Sequence, residues 1–506
     1  MTFTRTEHSP FDRSEVLAED YIPDEVLGRD TELGEIEEVL QQIVDREQPV
    51  NAFIYGISGT GKTVSVKYKI SQLEEALHQY DDVHAEFVYQ NCESLSSSYQ
   101  TAIAIANKYL SDEMYGYLHE HLDLNRQTLP SSGLPKERVY DILFTIFDLL
   151  TYRHTVYRRQ VEQALTDWND APSDTDAEAI VSEDADDRVI ETLHDSFDIT
   201  PPEAVRDYVL VILDEVDRIG TRDELLYEIP RCRTNGRVEN VYPSVVGVSN
   251  DIGYKEAIQS KTDSSLRLKE ITFTKYTTEQ LQEILTQRAE AAFKDDAYES
   301  SIIPLAAAYA RRQGGDARYG IDLLQKGGIK AKQAESKVVT EEFIREAKQE
   351  KERDRIREVT LDLSDHEKVV LGAVMYHQLR NETPVPRIID NTDTGGSDGV
   401  YLYRTYRRFA SDVLNEANKH RRVADYLKKL SQLGLLERQN AYDGPGEAGF
   451  EYSLGRADYD LIFKVLSDDD NSVTGESLVP TELRKTFEKA ATSGDEPEQS
   501  RVNSFN

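Results

Sequence analysis

The feature that most constrains this chain is an eight-residue loop at 56–63, GISGTGKT, which fits the phosphate-loop pattern GxxxxGK[ST]. It follows a β-like run (NAFIY) and opens a helical pattern with apolar residues on one face. Glycines let successive backbone N–H groups turn toward phosphate oxygens at the positive end of a helix dipole. In this pattern the lysine reaches the β- and γ-phosphates and the following hydroxyl ligates Mg²⁺. The context therefore predicts a nucleoside-triphosphate site formed by Gly56, Gly59, Thr60, Gly61, Lys62 and Thr63.

The charge balance is typical of a protein that works in concentrated salt. The 506 residues include 59 Lys and Arg against 94 Asp and Glu, a formal net charge of −35. An acidic surface keeps a protein dispersed at high ionic strength, where the Debye length falls to about 3 Å at 1 M. A disordered acidic protein is the alternative, but 28 Tyr, 15 Phe and clear periodic segments argue against it for most of the chain.

Cysteine usage and hydropathy exclude several classes of protein. Cys92 and Cys232 are too few for a disulfide framework or a cysteine metal cluster. The N-terminus lacks an apolar signal core, and no apolar run approaches the roughly 18 residues that a membrane helix needs. We expect a cytoplasmic protein with no membrane partner.

The pattern along the chain predicts three folded domains. Strands alternate with helices from 24 to about 268, which favours an α/β fold with a parallel sheet. The predicted segments are an extended N-terminus at 1–23, the α/β base at 24–270, a helical region at 271–350, a third domain at 360–466 and a mobile acidic tail at 467–506.

One stretch of the α/β region has a composition of its own. Residues 166–201 carry 12 acidic side chains against the single basic Arg188. This favours a partly disordered insertion or a solvated acidic excursion, with partner binding as the alternative.

Two apolar runs of the α/β region end in polar side chains. The run at 208–213 leads into Asp214 and Glu215, and the run at 245–248 leads to Asn250. Ligands of open α/β sheets bind beyond the carboxyl ends of the strands, where these residues fall. We expect Asp214 to hold the Mg²⁺ shell and Glu215 to orient or deprotonate the attacking water. Asn250 could contact the γ-phosphate or that water, although Asn in this context is also typical of a turn.

A further phosphate ligand is predicted in the helical region. Arg318 follows two glycines and the N-cap candidate Asp316, where a guanidinium could bind phosphate in a bidentate manner. A surface ion pair with Asp316 or Asp322 fits the spacing equally well.

The third domain carries a basic island. Between 401 and 430 eight basic residues stand against three acidic ones, a net charge of +5 in a chain of −35. An apolar stripe from Val423 to Leu433 predicts a helix that places Arg422 and Lys429 on its outer face. Two strands joined by a loop follow, and helix, strand, loop, strand is the layout of a winged helix on double-stranded DNA. An ordinary solvated helical surface is the alternative.

Seven segments, in order and spacing, resemble the archaeal origin recognition complex subunit one / cell division control protein six family. They lie at 17–23 (LAEDYIP), 56–63, 211–217 (VILDEVD), 225–228 (LLYE), 247–251 (GVSND), 276–281 (YTTEQL) and 315–318 (GDAR). The resemblance spans roughly residues 16–454 and fits a halophilic member. It implies an AAA+ phosphate-loop domain with a parallel sheet and a helical lid, followed by a winged helix that binds replication origins.

The resemblance also implies residue roles. Asn250 and Arg318 would be the first and second sensors, and Tyr276 and Arg288 would contact ATP or ADP. The DNA-binding residues would be Arg421, Arg422, Lys428 and Lys429, and the segment at 221–233 would also reach DNA. The implied partners are origin DNA, a replicative helicase and other initiator protomers.

Three departures from the family pattern matter. The family's DPRVxSSL, whose Arg acts in trans as a finger, is replaced at 259–266 by QSKTDSSL, with Lys261 at the Arg position. Lys offers a point charge without the bidentate fork of Arg, which puts in doubt whether one protomer activates ATP hydrolysis in its neighbour. The wing loop carries Asp443 and Glu447 and no basic residue, and the acidic 166–201 segment has no counterpart.

Three functions are compatible with these observations. The first is an ATP-dependent initiator, a slow AAA+ ATPase converting ATP to ADP and phosphate, whose nucleotide state switches DNA engagement and helicase loading. The second is a DNA-binding regulator or non-initiating paralogue that holds nucleotide with little hydrolysis, which Lys261 favours. The third, an AAA+ protein acting on other proteins, is disfavoured by the basic island.

Overall fold

The computed structural model describes two compact units, Met1–Ile344 and Arg345–Asn506. The described residues are 8–110, 128–167, 199–219, 224–251, 268–380, 402–442, 448–454, 459–468 and 477–493, with isolated positions between 114 and 124, between 180 and 197, and at 253–254. Lys261, most of the acidic 166–201 segment and the wing-loop residues Asp443 and Glu447 lie outside them.

The first unit is built on a five-stranded parallel sheet in the order β2-β3-β4-β1-β5. Its strands are β1 (Asn51–Tyr55), β2 (Val83–Asn91), β3 (Arg206–Asp214), β4 (Val241–Ser249) and β5 (Leu268–Thr272). Parallel neighbours need crossover connections, and helices supply them. The crossover helices are α2 (Lys62–Leu77), α3 (Ser98–Tyr109), α4 (Lys136–Leu149), α5 (Arg158–Asp167) and α6 (Glu224–Glu228), and α1 (Asp30–Val44) precedes β1. The predicted α/β fold with a parallel sheet is confirmed.

Strand β3 shows why its sequence is continuously apolar. Val209, Val211 and Leu213 are buried in the core formed with α3 and α4, whereas Leu210 and Ile212 are buried in the core formed with α1 and α2. Successive side chains of a strand point to opposite faces, so a strand covered on both faces needs apolar residues at every position.

Helices form the remainder of the first unit. They are α7 (Thr278–Ala292), α8 (Ile302–Arg312), α9 (Ala317–Gln333) and the start of α10 (Glu341–Leu361), which continues into the second unit. A capping box at Thr277 and Gln280 fixes the start of α7.

The N-terminal segment lies along these helices. The backbone N–H groups of Asp12 and Arg13 donate to the Ala292 carbonyl at 2.9 and 3.1 Å. The Phe11 ring stacks on Phe293 with 5.2 Å between centroids. The segment is therefore anchored to the helical region that follows the sheet.

The second unit is a helical domain with one antiparallel hairpin. After α10 it contains α11 (Asp365–Arg380), α12 (Leu402–Val413), α13 (His420–Gln432), β6 (Glu437–Tyr442), β7 (Ala448–Ser453), α14 (Tyr459–Ser467) and α15 (Thr481–Ser493). Helix α13 buries Val423, Leu427 and Leu430, the stripe that the sequence predicted. Helix, strand and strand follow one another as in a winged helix.

The expectation of a mobile tail from 467 is wrong for residues 477–493. Leu478, Val479 and Leu483 are buried, and the Phe487 ring stacks on Phe463 with 3.9 Å between centroids. The physical reason is a sparse apolar face at helical spacing, which the polar composition of the whole tail conceals.

Candidate nucleotide site and nucleic-acid interface

The loop at 56–63 connects β1 to α2 in a conformation that requires its glycines. Gly59 and Gly61 have φ values of +74° and +88°, in the left-handed region that disfavours side chains. A Cβ on Gly61 would collide with the Tyr276 hydroxyl, and a Cβ on Gly56 would collide with the Phe273 carbonyl. The buried Thr60 hydroxyl donates to the Ile57 carbonyl at 2.8 Å. The loop is therefore a closely fitted backbone cradle at the N-terminus of a helix, the arrangement that binds phosphate.

Lys62 lies inside this cradle, with only 5% of its surface exposed. Its Nζ donates to the carbonyls of Gly56 and Ile57 and to Asn250 Oδ1, each at 2.8 Å. Burial and the nearby Arg318 charge lower the pKa of Lys62 to about 8. The loop lysine and the end of β4 thus meet, as the sequence predicted, and the ammonium is held by neutral groups that an anionic ligand can replace.

The two predicted Mg²⁺ ligands also meet. The Thr63 hydroxyl donates to Asp214 Oδ2 at 3.0 Å, and the Tyr89 hydroxyl donates to the same oxygen at 2.7 Å. Burial, with the hydrogen bond to Asp214, raises the pKa of the Tyr89 hydroxyl, so it stays a donor. A hydroxyl beside a carboxylate is the hard oxygen donor set that Mg²⁺ takes, so these residues fit the ion.

Glu215 has the backbone strain that often marks functional residues. Its φ is +53°, and its N–H donates to Asp214 Oδ1 at 3.0 Å. Glu215 Oε1 accepts from Asn250 Nδ2 at 3.5 Å, whereas Oε2 is buried and accepts no hydrogen bond from any residue that the structure describes. The ion pair of Oε2 with Arg218 Nε, at 3.6 Å, is too long for one. This oxygen is therefore a ready acceptor for a water molecule.

Sequence reasoning missed Arg29, which is 2% exposed beside the loop. Its Nε donates to the Thr60 carbonyl at 2.9 Å and its Nη2 to the Thr274 carbonyl at 2.6 Å. The guanidinium lies 3.7 Å from the Tyr276 ring centroid and pairs with Glu32 at 3.0 Å. No motif marks this residue, because its partners include backbone carbonyls 31 and 245 positions away.

The two residues assigned to bound nucleotide by resemblance take different positions. Tyr276 is 2% exposed, and its hydroxyl lies against Gly61 of the phosphate loop. Arg288 donates to the Val16 carbonyl at 3.2 Å and lies 4.7 Å from the Tyr21 ring centroid. Burial lowers the pKa of the Arg288 guanidinium. Tyr276 is thus at the loop, and Arg288 holds the N-terminal segment.

The start of α9 touches the phosphate loop directly. The Ala317 N–H donates to the Gly59 carbonyl at 3.1 Å, and Asp316 caps α9 by accepting from the Tyr319 N–H at 3.2 Å. Arg318 forms an ion pair of 3.3 Å with Glu19, a partner that neither sequence alternative named. Both side chains are largely exposed, so an anionic ligand can compete for Arg318 at small cost.

The predicted DNA-binding residues on α13 divide into two kinds. Arg421, Arg422 and Lys428 are exposed. Lys429 is exposed as well, but its Nζ lies 2.8 and 2.9 Å from the two oxygens of Glu367, whose side chain is 5% exposed. Burial would raise the pKa of Glu367, but Lys429 and the Ser364 N–H hold it below its ordinary value. Lys429 therefore stabilises the start of α11.

The described part of the 221–233 segment is folded onto the core. Leu225, Ile229 and Cys232 are fully buried. Arg233 Nη1 donates to the carbonyls of Glu239 and Val241 at 2.6 and 2.9 Å. The contact of this segment with DNA, which the resemblance implies, stays a prediction.

Comparison with known proteins identifies relatives for both units. Family models match at 25–233 (AAA ATPase domain) and at 282–349 (Cdc6 AAA+ ATPase-type lid domain). The chain is 30% identical to ORC1-type DNA replication protein 11 of Haloarcula marismortui, over 89% of this chain and 90% of the relative. It is also 30% identical to ORC1-type DNA replication protein 8 of Halobacterium salinarum, over 91% and 97%.

A solved structure matches over nearly the full length. The Aeropyrum pernix ORC1 protein in complex with DNA is 26% identical, with a TM-score of 0.62 over 91% of this chain and 97% of that one. Within the described residues, no helix has both the length and the apolar character that crossing a membrane requires.

Proposed function

This chain belongs to the family of ORC1-type DNA replication proteins, and we propose that it is an initiator whose bound nucleotide sets how it engages origin DNA. The single observation that supports this most is the contact between α9 and the phosphate loop, from the Ala317 N–H to the Gly59 carbonyl. A ligand bound in the loop would sit against the helical lid as well as the sheet. Nucleotide state would therefore act on the lid directly.

The side chains around the loop support binding of ATP or ADP with Mg²⁺. Lys62 would exchange its neutral acceptors for phosphate oxygens, and Arg318 would exchange Glu19 for the γ-phosphate. Thr63 and Asp214 would hold Mg²⁺, which would neutralise charge on the β- and γ-phosphates. Tyr276 would close the loop from the lid side.

The same side chains support slow hydrolysis to ADP and phosphate. Glu215 Oε2, which has no hydrogen-bond donor among the described residues, would accept a hydrogen bond from the attacking water and orient it. Asn250, which lies between Lys62 and Glu215, would donate a hydrogen bond to the γ-phosphate when it is present. Lys261 would take the place of the arginine finger that acts on the nucleotide of a neighbouring protomer. Its point charge would activate hydrolysis less than an arginine would. For this reason a regulator that holds nucleotide without turnover is the second candidate.

In the second unit we propose that Arg421, Arg422 and Lys428 contact the duplex. They are exposed on α13, on the side away from its buried face, where they could contact a groove or its phosphates. By analogy with the family, we also propose that the protein assembles with other initiator protomers and loads a replicative helicase.

The test combines turnover with duplex binding. ATP hydrolysis should be slow but measurable in molar KCl, and the Arg421→Ala, Arg422→Ala double variant should bind origin duplex about tenfold more weakly, with a salt slope lower by about 2. The charge-matched control is Lys464→Ala with Lys485→Ala, two exposed lysines on α14 and α15. Equal affinity of the two double variants would contradict the groove contact, and absence of turnover would favour the second candidate.

A further inference from the structure

Asp217 lies beside the nucleotide site, in a short 3₁₀ helix (Val216–Ile219) that follows β3. Its Oδ1 accepts two hydrogen bonds from the end of β4. One comes from the Ser249 hydroxyl at 2.8 Å, and the other from the Asn250 backbone N–H at 3.0 Å. A single carboxylate oxygen therefore ties the turn after β3 to the last residues of β4.

These hydrogen bonds fix the residue that bridges the site. Asn250 Oδ1 accepts from Lys62 Nζ at 2.8 Å and its Nδ2 donates to Glu215 Oε1 at 3.5 Å. The position of the Asn250 backbone therefore sets where its side chain meets both neighbours. Ser249 strengthens the arrangement, because its buried hydroxyl also accepts from the Asp251 N–H at 3.0 Å.

We propose that Asp217 is a positioning residue that sets Asn250 to distinguish a triphosphate from a diphosphate. This rests on the proposed function, since it takes Asn250 as the residue that reads the γ-phosphate. Asp217 acts through its acceptor oxygen on the β4 backbone and does not itself touch the nucleotide. A misplacement of about 1 Å is enough to weaken a precisely positioned contact, so loss of this anchor should reduce the contact of Asn250 with the γ-phosphate.

The acceptor role separates two substitutions at the same position. Asp217→Asn keeps an oxygen that accepts both hydrogen bonds, whereas Asp217→Ala removes it. The matched control is Asp148→Ala. Asp148 accepts from the backbone N–H groups of Glu239 and Asn240, each at 3.1 Å, just before the other end of the same strand.

The readout is the preference for Mg²⁺-bound non-hydrolysable ATP analogue over ADP, measured as a ratio of Kd values by equilibrium binding in molar KCl. Asp217→Ala and Asn250→Ala should each lose about tenfold of this preference, with ADP affinity changed less than about threefold. Asp217→Asn should retain it, and Asp148→Ala should retain it even where its Tm falls.

Three results would overturn the inference. They are an unchanged preference in Asp217→Ala, an equal loss in Asp148→Ala, and a wild-type chain that binds both nucleotides equally. Turnover is measured separately on the wild type. Its absence would remove the hydrolytic part of the proposed function and leave the binding comparison in force.

Discussion

The candidate nucleotide site and the proposed DNA-binding face of α13 use charge in opposite ways. In the nucleotide site, Lys62, Arg29 and Asp214 are buried and joined to partners inside the protein. On α13, Arg421 and Arg422 are exposed, and Lys429 alone of the predicted set pairs with a buried acid. A buried charge is costly unless specific groups pair with it, so its contacts in the structure indicate its role. An exposed charge is screened by solvent and its side chain is mobile. Its position alone therefore does not distinguish a residue that binds a ligand from one that stabilises the fold.

The largest effect is expected at Arg29. Arg29→Ala should lower the free energy of unfolding by about 3 kcal/mol, because it leaves Glu32 and two carbonyls without their buried partner. Arg29→Lys should rescue little, since an ammonium cannot reproduce the planar fork over Tyr276. Urea unfolding followed by circular dichroism measures this. A loss below about 0.5 kcal/mol, the size expected for Arg421→Ala on the surface, would erase the contrast between the two regions.

The next effect is on nucleotide affinity. Lys62→Ala should weaken ATP binding by roughly 100-fold, because it removes a charge-assisted donor from a dehydrated cradle. Lys69→Ala on the same helix is the control, since Lys69 pairs with the exposed Glu37 at 2.6 Å. Calorimetric titration in molar KCl distinguishes them, and similar affinities for the two variants would contradict the assigned role of Lys62.

A third effect concerns His84, a largely buried charged residue of the first unit. His84 lies 2.9 Å from Asp207 and 3.5 Å from Glu86. Burial opposes its protonation, but these carboxylates outweigh burial and raise the pKa of His84 to about 9. A pKa raised on folding gives stability that is fully present below about pH 6.5 and is lost as the pH rises through about 9.

We therefore expect the wild type to lose about 2 kcal/mol of unfolding free energy between pH 6.5 and 9.5 relative to His84→Gln. The measurement is urea unfolding at several pH values in constant KCl. Parallel profiles for the two proteins would show that the His84 pairs do not stabilise the fold.

The smallest effect sharpens the comparison within α13 itself. Lys429→Ala should cost about 1–2 kcal/mol of stability, because Glu367 stays buried without its cation. Arg422→Ala should cost no measurable stability and weaken duplex binding about threefold. Measuring unfolding and duplex affinity on both variants tests this. If Lys429→Ala weakened duplex binding without lowering stability, Lys429 would be a DNA-binding residue and this prediction would be wrong.

Local patterns predicted which residues lie around the phosphate loop, because each part of this candidate site is continuous in sequence. The glycine loop, the acids after β3 and the amide after β4 each follow an apolar run, and parallel strands bring those ends to one edge of the sheet. The roles of Asp217 and Arg29 were not predicted, because both bind backbone groups of distant segments that no side-chain pattern reveals.

The second unit was predicted less completely, for a different reason. Helix α13 and the hairpin follow from apolar periodicity, but the pairing of Lys429 with Glu367 joins residues 62 positions apart. Helix α15 was missed because its apolar residues are few among charged ones. In both cases tertiary packing decides the role of a residue whose local signal is weak.

The central claim is that nucleotide in the first unit changes how the second unit engages duplex DNA. The direct measurement is origin-duplex affinity of the wild-type chain at one fixed KCl concentration, compared among nucleotide-free, ADP-bound and ATP-analogue-bound protein. We predict that the ATP-analogue and ADP forms differ by about fivefold or more, the lower range of allosteric coupling. Equal affinity in all three states would contradict the claim.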